Sequence, residues 1–458
     1  MYKIDFNEPI HIHFIGIGGI SMSGLAEILL KEGFTVSGSD TKESPLTKKL
    51  VSEGAHIIYG QKAENITRDI GCVVYTAAIN RNNPELIEAV ALKIPMLTRA
   101  ELLGQLMKNY DTPIAVSGTH GKTTTTSMIS HILLEGDLDP TISVGGILKA
   151  IGGNIRVGNS GTFITEACEY TNSFLHFFPK ISVILNIEED HLDFFKDLED
   201  IRHSFHQFAE LLPEDGTLII NAEIKDYAEI YEGLSCNVVT YGTNGCFDYS
   251  AKNITYDENG HVAFDLFRRG EYADHIQLSV TGDHNVSNAL SAIAVADILG
   301  LSIDITKRGL LSFTGTDRRF EYKGQFNGVT VIDDYAHHPT EIKATLTAAQ
   351  KYPHRQIWCV FQPHTYTRTK ALLPEFAQAL KLADHVVLAD IYAARETDNL
   401  GISSADLMEL IKAEGKDCYY YESFEDIEKF LLNNCINGDL LITMGAGDVY
   451  KIGEELLK

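Results

Sequence analysis

A glycine-rich loop near residue 120 combines residue types that bind nucleotide phosphates. The apolar residues 114–116 predict a buried strand before it, and residues 124–134 carry apolar side chains at helical spacing after it. The loop contains Gly118, Thr119, His120, Gly121, Lys122, Thr123 and Thr124. A strand, a glycine turn and a helix start aim backbone N–H groups at an anion, while the lysine suits terminal phosphates and the threonine hydroxyl suits Mg²⁺. The stretch therefore predicts phosphate binding rather than a plain glycine turn, although Val116 replaces one glycine of the longer Walker pattern.

A second glycine turn, GIGGIS at residues 16–21, follows the first predicted strand. Its residues Gly16, Gly18 and Gly19 match a dinucleotide-binding turn, and Ser39 and Asp40 end the next predicted strand, where an acid can contact a ribose. The third glycine of that pattern is missing, because serine stands at residue 21. The helix start favours a diphosphate without deciding which one. An NAD-dependent dehydrogenase is the alternative, and it would leave the loop near residue 120 unexplained.

Acidic residues and a histidine follow two strands predicted close to the phosphate loop in the chain. Glu166 and Glu169 lie in TEACEY, and Asp190, His191 and Asp193 lie in NIEEDHLDFF. Mg²⁺ prefers oxygen ligands and tolerates a nitrogen, so the set suggests a metal site. Each acid taken alone could equally be a solvated carboxylate at the end of a strand.

The last third of the chain carries arginines and histidines in loops that follow predicted strands. These loops are DRRFE (residues 317–321), DDYAHHPTE (333–341) and QPHTYTRT (362–369). Ligands of open α/β sheets bind at the carboxyl ends of the strands, so these loops are candidates for a ligand site. An arginine there can reach a phosphate, although an isolated arginine more often forms a surface salt bridge.

The elements that must position these residues alternate between strand and helix in three blocks. We expect an α/β protein of three domains: a Rossmann-like domain over residues 1–108, a central P-loop ATPase-like parallel sheet over 109–317, and a second Rossmann-like domain over 318–458. A helix is predicted around residues 201–212, and another, capped by Asn285 or a neighbour, ends at Gly300. The charged, turn-rich interval from 240 to 275 predicts hairpins or an insertion.

Composition excludes several classes of function. The net charge is −25 and no basic run exceeds two residues, so we expect neither nucleic acid nor a membrane surface as a partner. The seven cysteines are scattered without a CxxC pair, which argues against a zinc knuckle and suits reduced thiols. The N-terminus lacks the features of a signal peptide. We therefore expect a cytoplasmic protein, and the sequence predicts no obligate protein partner.

Taken in order, the motifs resemble the Mur ligases of peptidoglycan precursor synthesis. The resemblance runs from about residue 11 to 452 through HFIGIGGISMSGLAEILL, GTHGKTTTT, EACEY, NIEEDHLDFF, GDHNVSNALSA, FTGTDRRFE, DDYAHHPTE, QPHTYTRT, DIYAARE and GAGDVY. It implies an ATP- and Mg²⁺-dependent ligase that joins L-alanine to the lactyl carboxylate of UDP-N-acetylmuramate through an acyl phosphate. It also implies that the first domain binds the UDP part, the central one binds ATP, and the third brings the amino acid and closes over the site.

The resemblance also assigns roles to residues by their position in the motifs. The UDP part of the substrate takes the place of NAD at Gly16, Gly18 and Gly19, with Ser39 and Asp40 beside them. Lys122 and Thr123 hold the β- and γ-phosphates and Mg²⁺, within an ATP site that includes Gly118, Thr119, His120, Gly121 and Thr124. The other implied roles are metal ligation by Glu166 and His191, adenine contact by Asn285 and Asn288, phosphate contact by Arg319, ribose contact by Asp334, and contact with the reacting carboxylate and amino acid by His337 and Arg368.

Two departures from the family pattern and two alternatives accompany this resemblance. Some Mur ligases carry a carbamylated lysine where this chain has His206, so no carbamate is expected. Thr365 stands where some alanine-adding relatives have an arginine, which puts that contact in doubt. We expect His337 to be the base that accepts the amine proton, because an ordinary histidine pKa is near 6.5. The alternatives are a ligase of the same fold that recycles cell-wall tripeptide, and a nucleotide-gated binding protein without catalysis.

Overall fold

The computed structural model describes residues 2–76, 79–192, 194–394 and 396–458. The chain forms two compact units, the first from residues 1–187, 202–239 and 298–300, and the second from residues 188–201, 240–297 and 301–458. Parallel sheets joined by helices form the core of each unit. The predicted α/β fold class is therefore confirmed, whereas the three domain boundaries stay a prediction.

The first sheet of the first unit consists of five parallel strands joined mainly by helices. Its elements are β1 (His11–Ile15), α1 (Ile20–Lys31), β2 (Thr35–Asp40), α2 (Pro45–Ser52), β3 (His56–Tyr59), a 3-10 turn (Ala63–Asn65), β4 (Cys72–Tyr75), α3 (Pro84–Ala91), β5 (Met96–Thr98) and α4 (Arg99–Met107). The strand order is β3-β2-β1-β4-β5, so β1 is central. Because all strands run the same way, the glycine turn after β1 lies at the same edge as the end of β2.

The second sheet of the first unit carries the glycine-rich loop. Its strands and helices are β6 (Thr112–Ser117), α5 (Lys122–Glu135), β7 (Thr141–Leu148), β8 (Gly153–Arg156), β9 (Thr162–Ala167), β10 (Ile181–Ile184), α6 (Leu198–Ala209), β11 (Thr217–Asn221) and β12 (Asn237–Gly242), with 3-10 turns at Lys149–Ile151, Tyr170–His176 and Tyr227–Ile230. From β12 the strand order is β12-β11-β10-β6-β9-β7-β8. The strands from β11 to β7 run parallel, and β8 runs antiparallel to β7. The division between the two units falls within α6 and β12.

The first sheet and the second are held together through a tight contact of α1. A Cβ atom on Gly24 of α1 would lie 2.1 Å from Cγ1 of Ile155 in β8, so only glycine fits there. The ammonium of Lys31 donates to the carbonyl of Val157 at 2.6 Å. These contacts fix the helix that begins at the glycine turn against the sheet that carries the phosphate loop.

An antiparallel ladder and two helices open the second unit. They are β13 (Tyr249–Tyr256), β14 (His261–Arg268), β15 (Glu271–Thr281), α7 (His284–Ile298) and α8 (Ile303–Ser312). The prediction of hairpins within residues 240–275 is confirmed. Asp297 of α7 accepts hydrogen bonds from the Tyr249 hydroxyl at 2.9 Å and from the Arg268 guanidinium at 2.7 Å, which ties the ladder to the helix.

The sheet of the last block has helices on both faces. Its elements are β16 (Glu321–Phe326), β17 (Val329–Asp334), α9 (Pro339–Ala349), β18 (Ile357–Phe361), α10 (Tyr366–Ala371), α11 (Leu373–Leu380), β19 (His385–Leu388), α12 (Ser404–Ala413), β20 (Asp417–Tyr420), α13 (Phe424–Asn434), β21 (Leu440–Met444) and α14 (Tyr450–Leu456). The order is β16-β17-β21-β18-β19-β20, parallel except for β16. Along β18, Cys359 and Phe361 pack into one apolar cluster and Trp358 and Val360 into another, as expected for a strand buried on both sides.

Within the described part of the chain, the structure contains no helix with the combined length and apolar character needed to span a bilayer.

Candidate active site

The predicted phosphate loop has the strand–turn–helix geometry that its sequence indicates. Strand β6 ends at Ser117 and helix α5 begins at Lys122, two residues earlier than the helix predicted from Thr124. Gly118 and Gly121 adopt φ values of +145° and +85°, which residues with side chains rarely reach. The turn therefore depends on its glycines, and the backbone amides at the start of α5 are available to an anion.

Asn186, which the sequence reasoning missed, holds the phosphate loop from the end of β10. Its side-chain oxygen accepts from the N–H of His120 at 2.7 Å, and its amide donates to the carbonyl of His120 at 3.0 Å. Its own carbonyl accepts from the N–H of Thr119 at 3.2 Å. These three bonds fix the loop from a residue 66 positions away in the chain. The only sequence signal was an asparagine following an apolar strand.

Lys122 is mostly enclosed at the start of α5, with a side chain that is 15% exposed, and it forms an ion pair with Glu169. Its ammonium lies 2.9 Å from one carboxylate oxygen of Glu169 and also donates to the carbonyls of Gly118 at 2.5 Å and Thr119 at 3.1 Å. Burial alone would lower the pKa of Lys122, but the negative charge of Glu169 raises it above its ordinary value. Lys122 is therefore a protonated cation in the phosphate loop.

Thr123 and Glu166, two of the three predicted metal ligands, lie together. The Thr123 hydroxyl donates to Oε2 of Glu166 at 3.0 Å, and the N–H of Gly145 donates to Oε1. A hydroxyl and a carboxylate form the oxygen donor set that Mg²⁺ prefers, so these residues fit that ion. The third predicted ligand, His191, belongs to the second unit. Asp193, considered with it, lies outside the described residues.

The segment that carries His191 is bound by residues of the last block. His191 has a φ of +53°, and its N–H donates to the carboxylate of Asp190 at 2.7 Å. Three consecutive residues before it accept hydrogen bonds: Thr340 donates to Glu188 at 2.6 Å, His338 to the carbonyl of Glu189 at 3.0 Å, and Arg368 to Asp190 at 3.0 Å. The strained backbone of His191 thus follows a segment that three side chains of the last block hold in place.

The five residues predicted to hold the UDP part of a substrate come together at one edge of the first sheet. The N–H of Gly16 donates to the carbonyl of Ser39 at 2.9 Å, and the N–H of Gly18 donates to the Asp40 carboxylate at 2.7 Å. Gly19 precedes the first residue of α1 and has no side chain with which to cap the helix. In this structure Asp40 braces the turn, and the start of α1 presents backbone amides where a diphosphate would bind. The hydroxyl of Ser39 donates to the buried carboxylate of Glu85 at 2.6 Å.

Asn285 and Asn288 lie one helical turn apart on α7 and are both buried. The side-chain amide of Asn285 donates to the carbonyl of Thr281 at 2.7 Å, and that of Asn288 donates to the side-chain oxygen of Asn285 at 3.0 Å. Helix α7 begins at His284. Asn285, which we expected, with its neighbours, as a capping residue, therefore lies inside the first turn of the helix. The two amides form a fixed pair that can offer donors and acceptors to a base.

Asp334 ends β17 and is held by backbone amides. Its carboxylate accepts from the N–H of Phe320 at 2.8 Å and of Ala336 at 2.7 Å. Burial raises the pKa of Asp334 to about 6, although the nearby guanidinium of Arg319 and the two N–H groups oppose the rise. Arg319 itself lies 3.7 Å from the Glu341 carboxylate. The predicted ribose acid and the predicted phosphate arginine are therefore neighbours in the second unit.

His337 and Arg368, the remaining predicted catalytic residues, lie in the same unit with His364 between them. The Nδ1 atom of His337 donates to the carbonyl of Tyr335 at 3.0 Å, so its neutral tautomer leaves Nε2 as the acceptor. Burial lowers the pKa of His337 to about 4, with the charge of Glu341 opposing, which makes it a weaker base than an ordinary histidine. The rings of His337 and His364 are 5.7 Å apart, and the guanidinium of Arg368 lies 3.3 Å from Nδ1 of His364.

The two departures from the family pattern have structural counterparts. His206 occupies the position of the carbamylated lysine, and its Nδ1 atom lies 3.0 Å from the carbonyl oxygen of Ile230. Thr365 adopts a φ of +67° and precedes α10, where its hydroxyl accepts from the N–H of Arg368 at 3.4 Å. Thr365 therefore caps the helix that presents Arg368.

Three family models match this chain in order. They are described as Mur ligase family, catalytic domain (residues 11–111), Mur ligase middle domain (116–296) and Mur ligase, glutamate ligase domain (318–447). The chain therefore belongs to the Mur ligase family, and the predicted resemblance is confirmed.

Within that family, the chain is 63% identical to the UDP-N-acetylmuramate–L-alanine ligase of Lachnospira eligens, with 100% of both chains covered. Its fold is similar to the crystal structure of the UDP-N-acetylmuramate–alanine ligase of Thermotoga maritima, with 29% identity, a TM-score of 0.80 and 98% of each chain covered. It is also similar to a murein peptide ligase of Psychrobacter arcticus, with 27% identity, a TM-score of 0.69 and 98% of each chain covered.

Proposed function

We propose that this chain uses ATP to join L-alanine to the lactyl carboxylate of UDP-N-acetylmuramate, in the synthesis of peptidoglycan precursors. The observation that carries the proposal is its full-length similarity, at 63% identity, to a ligase named for this reaction. The geometry of the phosphate loop supports it, because Lys122 lies at the helix start where terminal phosphates bind.

The first step transfers the γ-phosphoryl group of ATP to an oxygen of the carboxylate, and ADP leaves. Both reactants are anions, so the step needs positive charge and backbone N–H groups at the phosphates. We assign this role to Lys122 and the loop amides, with Arg319 as a second cation. Thr123 and Glu166, with His191 as the third proposed ligand, would hold Mg²⁺, which when bound would neutralise further phosphate charge.

The second step is attack by the amine of alanine on the acyl carbon, with release of inorganic phosphate. The amine must lose a proton, and Nε2 of His337 is the acceptor we assign. The low pKa of His337 keeps it neutral at pH 7, so that it can accept a hydrogen bond from the amine. Arg368 offers a guanidinium for the carboxylate of the amino acid.

The remaining assignments follow the same division of roles. We propose that residues 1–108 bind the UDP part through the turn at 16–19, that residues 109–317 bind ATP, and that residues 318–458 bind the amino acid. The three matched family models, at residues 11–111, 116–296 and 318–447, support these boundaries. A cytoplasmic location is proposed from the seven cysteines, all of which are unpaired.

The test is a phosphate-release assay with the purified chain, ATP and Mg²⁺. We expect release only when UDP-N-acetylmuramate and L-alanine are both present, and a product heavier by one alanine residue in mass spectrometry. UDP-N-acetylglucosamine, which lacks the lactyl carboxylate, is the matched control and should give none. Preference for the cell-wall tripeptide over alanine would assign the chain to the recycling reaction instead, and spectral change with NAD would support the dehydrogenase alternative.

A further inference from the structure

The ammonium of Lys122 has all of its hydrogen-bonding capacity in use in this structure. An ammonium group has three N–H donors. They meet three acceptors: the carbonyl of Gly118 at 2.5 Å, the carbonyl of Thr119 at 3.1 Å and the carboxylate of Glu169 at 2.9 Å. A phosphate oxygen that binds this ammonium must therefore replace one of the three.

Glu169 is the acceptor that an anion would replace. The two carbonyls belong to the loop itself, which the glycine conformations and Asn186 hold in place. Glu169 lies after β9 on a different part of the chain, and its second oxygen is 3.3 Å from the ammonium. Phosphate and carboxylate compete for the same cation because both are anions, whereas a neutral carbonyl does not need to be displaced to balance charge.

The competition between phosphate and Glu169 for Lys122 matters because the Lys122–Glu169 ion pair is largely shielded from water. The side chains of Lys122 and Glu169 are 15% and 3% exposed, so neither charge is well hydrated. A buried cation without a counter-charge is strongly destabilising. Glu169 is therefore the residue that allows Lys122 to be buried and pointed at the loop before any nucleotide arrives.

Glu169 differs in this respect from its neighbour Glu166. The carboxylate of Glu166 accepts from the hydroxyl of Thr123 and the N–H of Gly145, which places it with the proposed metal ligand. Glu169 accepts from the ammonium of Lys122 through both of its oxygens. Two acids three residues apart on one strand end thus face different partners.

We propose that Glu169 is the resident counter-ion of Lys122, which the ATP phosphates displace, and that it is a positioning residue rather than a metal ligand. This inference rests on the proposed ATP site at the phosphate loop. It predicts that Glu169 weakens nucleotide binding, because ATP must compete with it, while it keeps Lys122 aligned for phosphoryl transfer.

The test compares Glu169→Gln with Glu166→Gln in nucleotide binding by calorimetry. ATP is titrated once in EDTA and once with Mg²⁺. We expect Glu169→Gln to bind metal-free ATP about tenfold more tightly than the unaltered chain and to keep its response to Mg²⁺. Glu166→Gln should lose most of that response. In turnover, Glu169→Gln should lower both the KM for ATP and kcat, whereas a purely structural role would leave the KM unchanged or raise it.

Unchanged or weaker binding of metal-free ATP by Glu169→Gln would overturn the proposal, and so would loss of its Mg²⁺ response. Should that variant fail to fold, Glu169→Asp retains the charge but cannot span the same distance, and about threefold tighter binding is then expected. Failure of the unaltered chain to bind ATP, or undiminished binding by Lys122→Met, would instead refute the proposed ATP site.

Discussion

Removing one partner of the ion pair between Asp190 and Arg368 should strongly destabilise the second unit. Both side chains are mostly buried, at 9% and 13% exposure. Two N–H groups of the guanidinium point at one oxygen of Asp190, Nη2 at 3.0 Å and Nε at 3.4 Å. Burial would raise the pKa of Asp190, but the charges of Arg368, His191 and His338 hold it below its ordinary value.

The cost of Asp190→Asn can be worked out from this geometry. Unit charges about 3 Å apart attract by about 5 kcal/mol at an effective dielectric constant of about 20, and desolvation offsets much of that. Removing one partner leaves Arg368 buried without a counter-charge, which typically costs about 3–5 kcal/mol. His364 remains as a neutral partner of the guanidinium, so we expect a loss near the lower end, about 3 kcal/mol.

Trp358 makes the measurement specific to the second unit. It is the only tryptophan in the sequence, and it is buried and stacked on His385. Urea unfolding followed by its fluorescence at pH 7.5 should show the midpoint of Asp190→Asn lowered with little change in slope. Because the carboxylate has a depressed pKa, its contribution is fully present above its unfolded pKa and is lost as the pH falls toward the folded value.

A matched control separates this pair from ordinary surface charge. Glu414→Gln removes the exposed pair of Lys381 and Glu414, whose side chains are 38% and 39% exposed, and should cost less than about 0.5 kcal/mol. The double variant of Asp190→Asn with Arg368→Met should recover at least about 1 kcal/mol of the loss, since the unpaired charge is gone. A loss under about 1 kcal/mol for Asp190→Asn, or no recovery in the double variant, would refute this reasoning.

Three further predictions concern turnover and pH. Lys122→Met should reduce turnover by at least about 10³-fold while UDP-substrate binding, measured by calorimetry, stays unchanged, because the turn at 16–19 belongs to another sheet; loss of both would contradict that division. His337→Ala should lower kcat at saturating alanine by at least about 10²-fold. Unchanged turnover of this variant would refute the assignment of His337 as the base. Burial lowers the pKa of His284, His337 and His364 to about 4 each, so their stabilising effect is complete above pH 6.5 and is lost as the pH falls toward 4. At pH 5 the cost is about 2 kcal/mol for His337, whose side chain is 19% exposed, and smaller for the half-buried His364 and the exposed His284, where water screens the charge. Urea unfolding at pH 7 and 5 should show this loss, and His337→Gln should give a shallower dependence.

The local elements of the site could be predicted from the sequence because their signals are local. The apolar run before Gly118, the glycines and the helical spacing after Lys122 specify a phosphate loop within some twenty residues. The hairpins after residue 240 were readable from turn residues in the same way. The start of α5 was placed two residues late, because threonines carry a weak helix signal and Lys122 begins the helix within the turn.

What could not be predicted depends on contacts between distant parts of the chain. Asn186 reaches His120 across 66 residues, and Asp190 reaches Arg368 across 178. No pattern in one sequence tells a strand-end asparagine that braces a loop from one that faces water. The low pKa of His337 was missed for the same reason, since burial by distant segments sets it rather than its neighbours in the motif.

Because Gly24 has no side chain, helix α1 lies close to strand β8 in the first unit. A methyl group there would meet Ile155 at 2.1 Å, so α1 would have to retreat by about 1 Å or more to restore normal contact. That helix begins at the turn assigned to the UDP part, and the sheet it rests on carries the loop assigned to ATP. A UDP-sugar must reach from the turn to the phosphate loop, so Gly24 helps to set the distance between these two sites. A larger residue at position 24 would increase the distance that every UDP-sugar has to span.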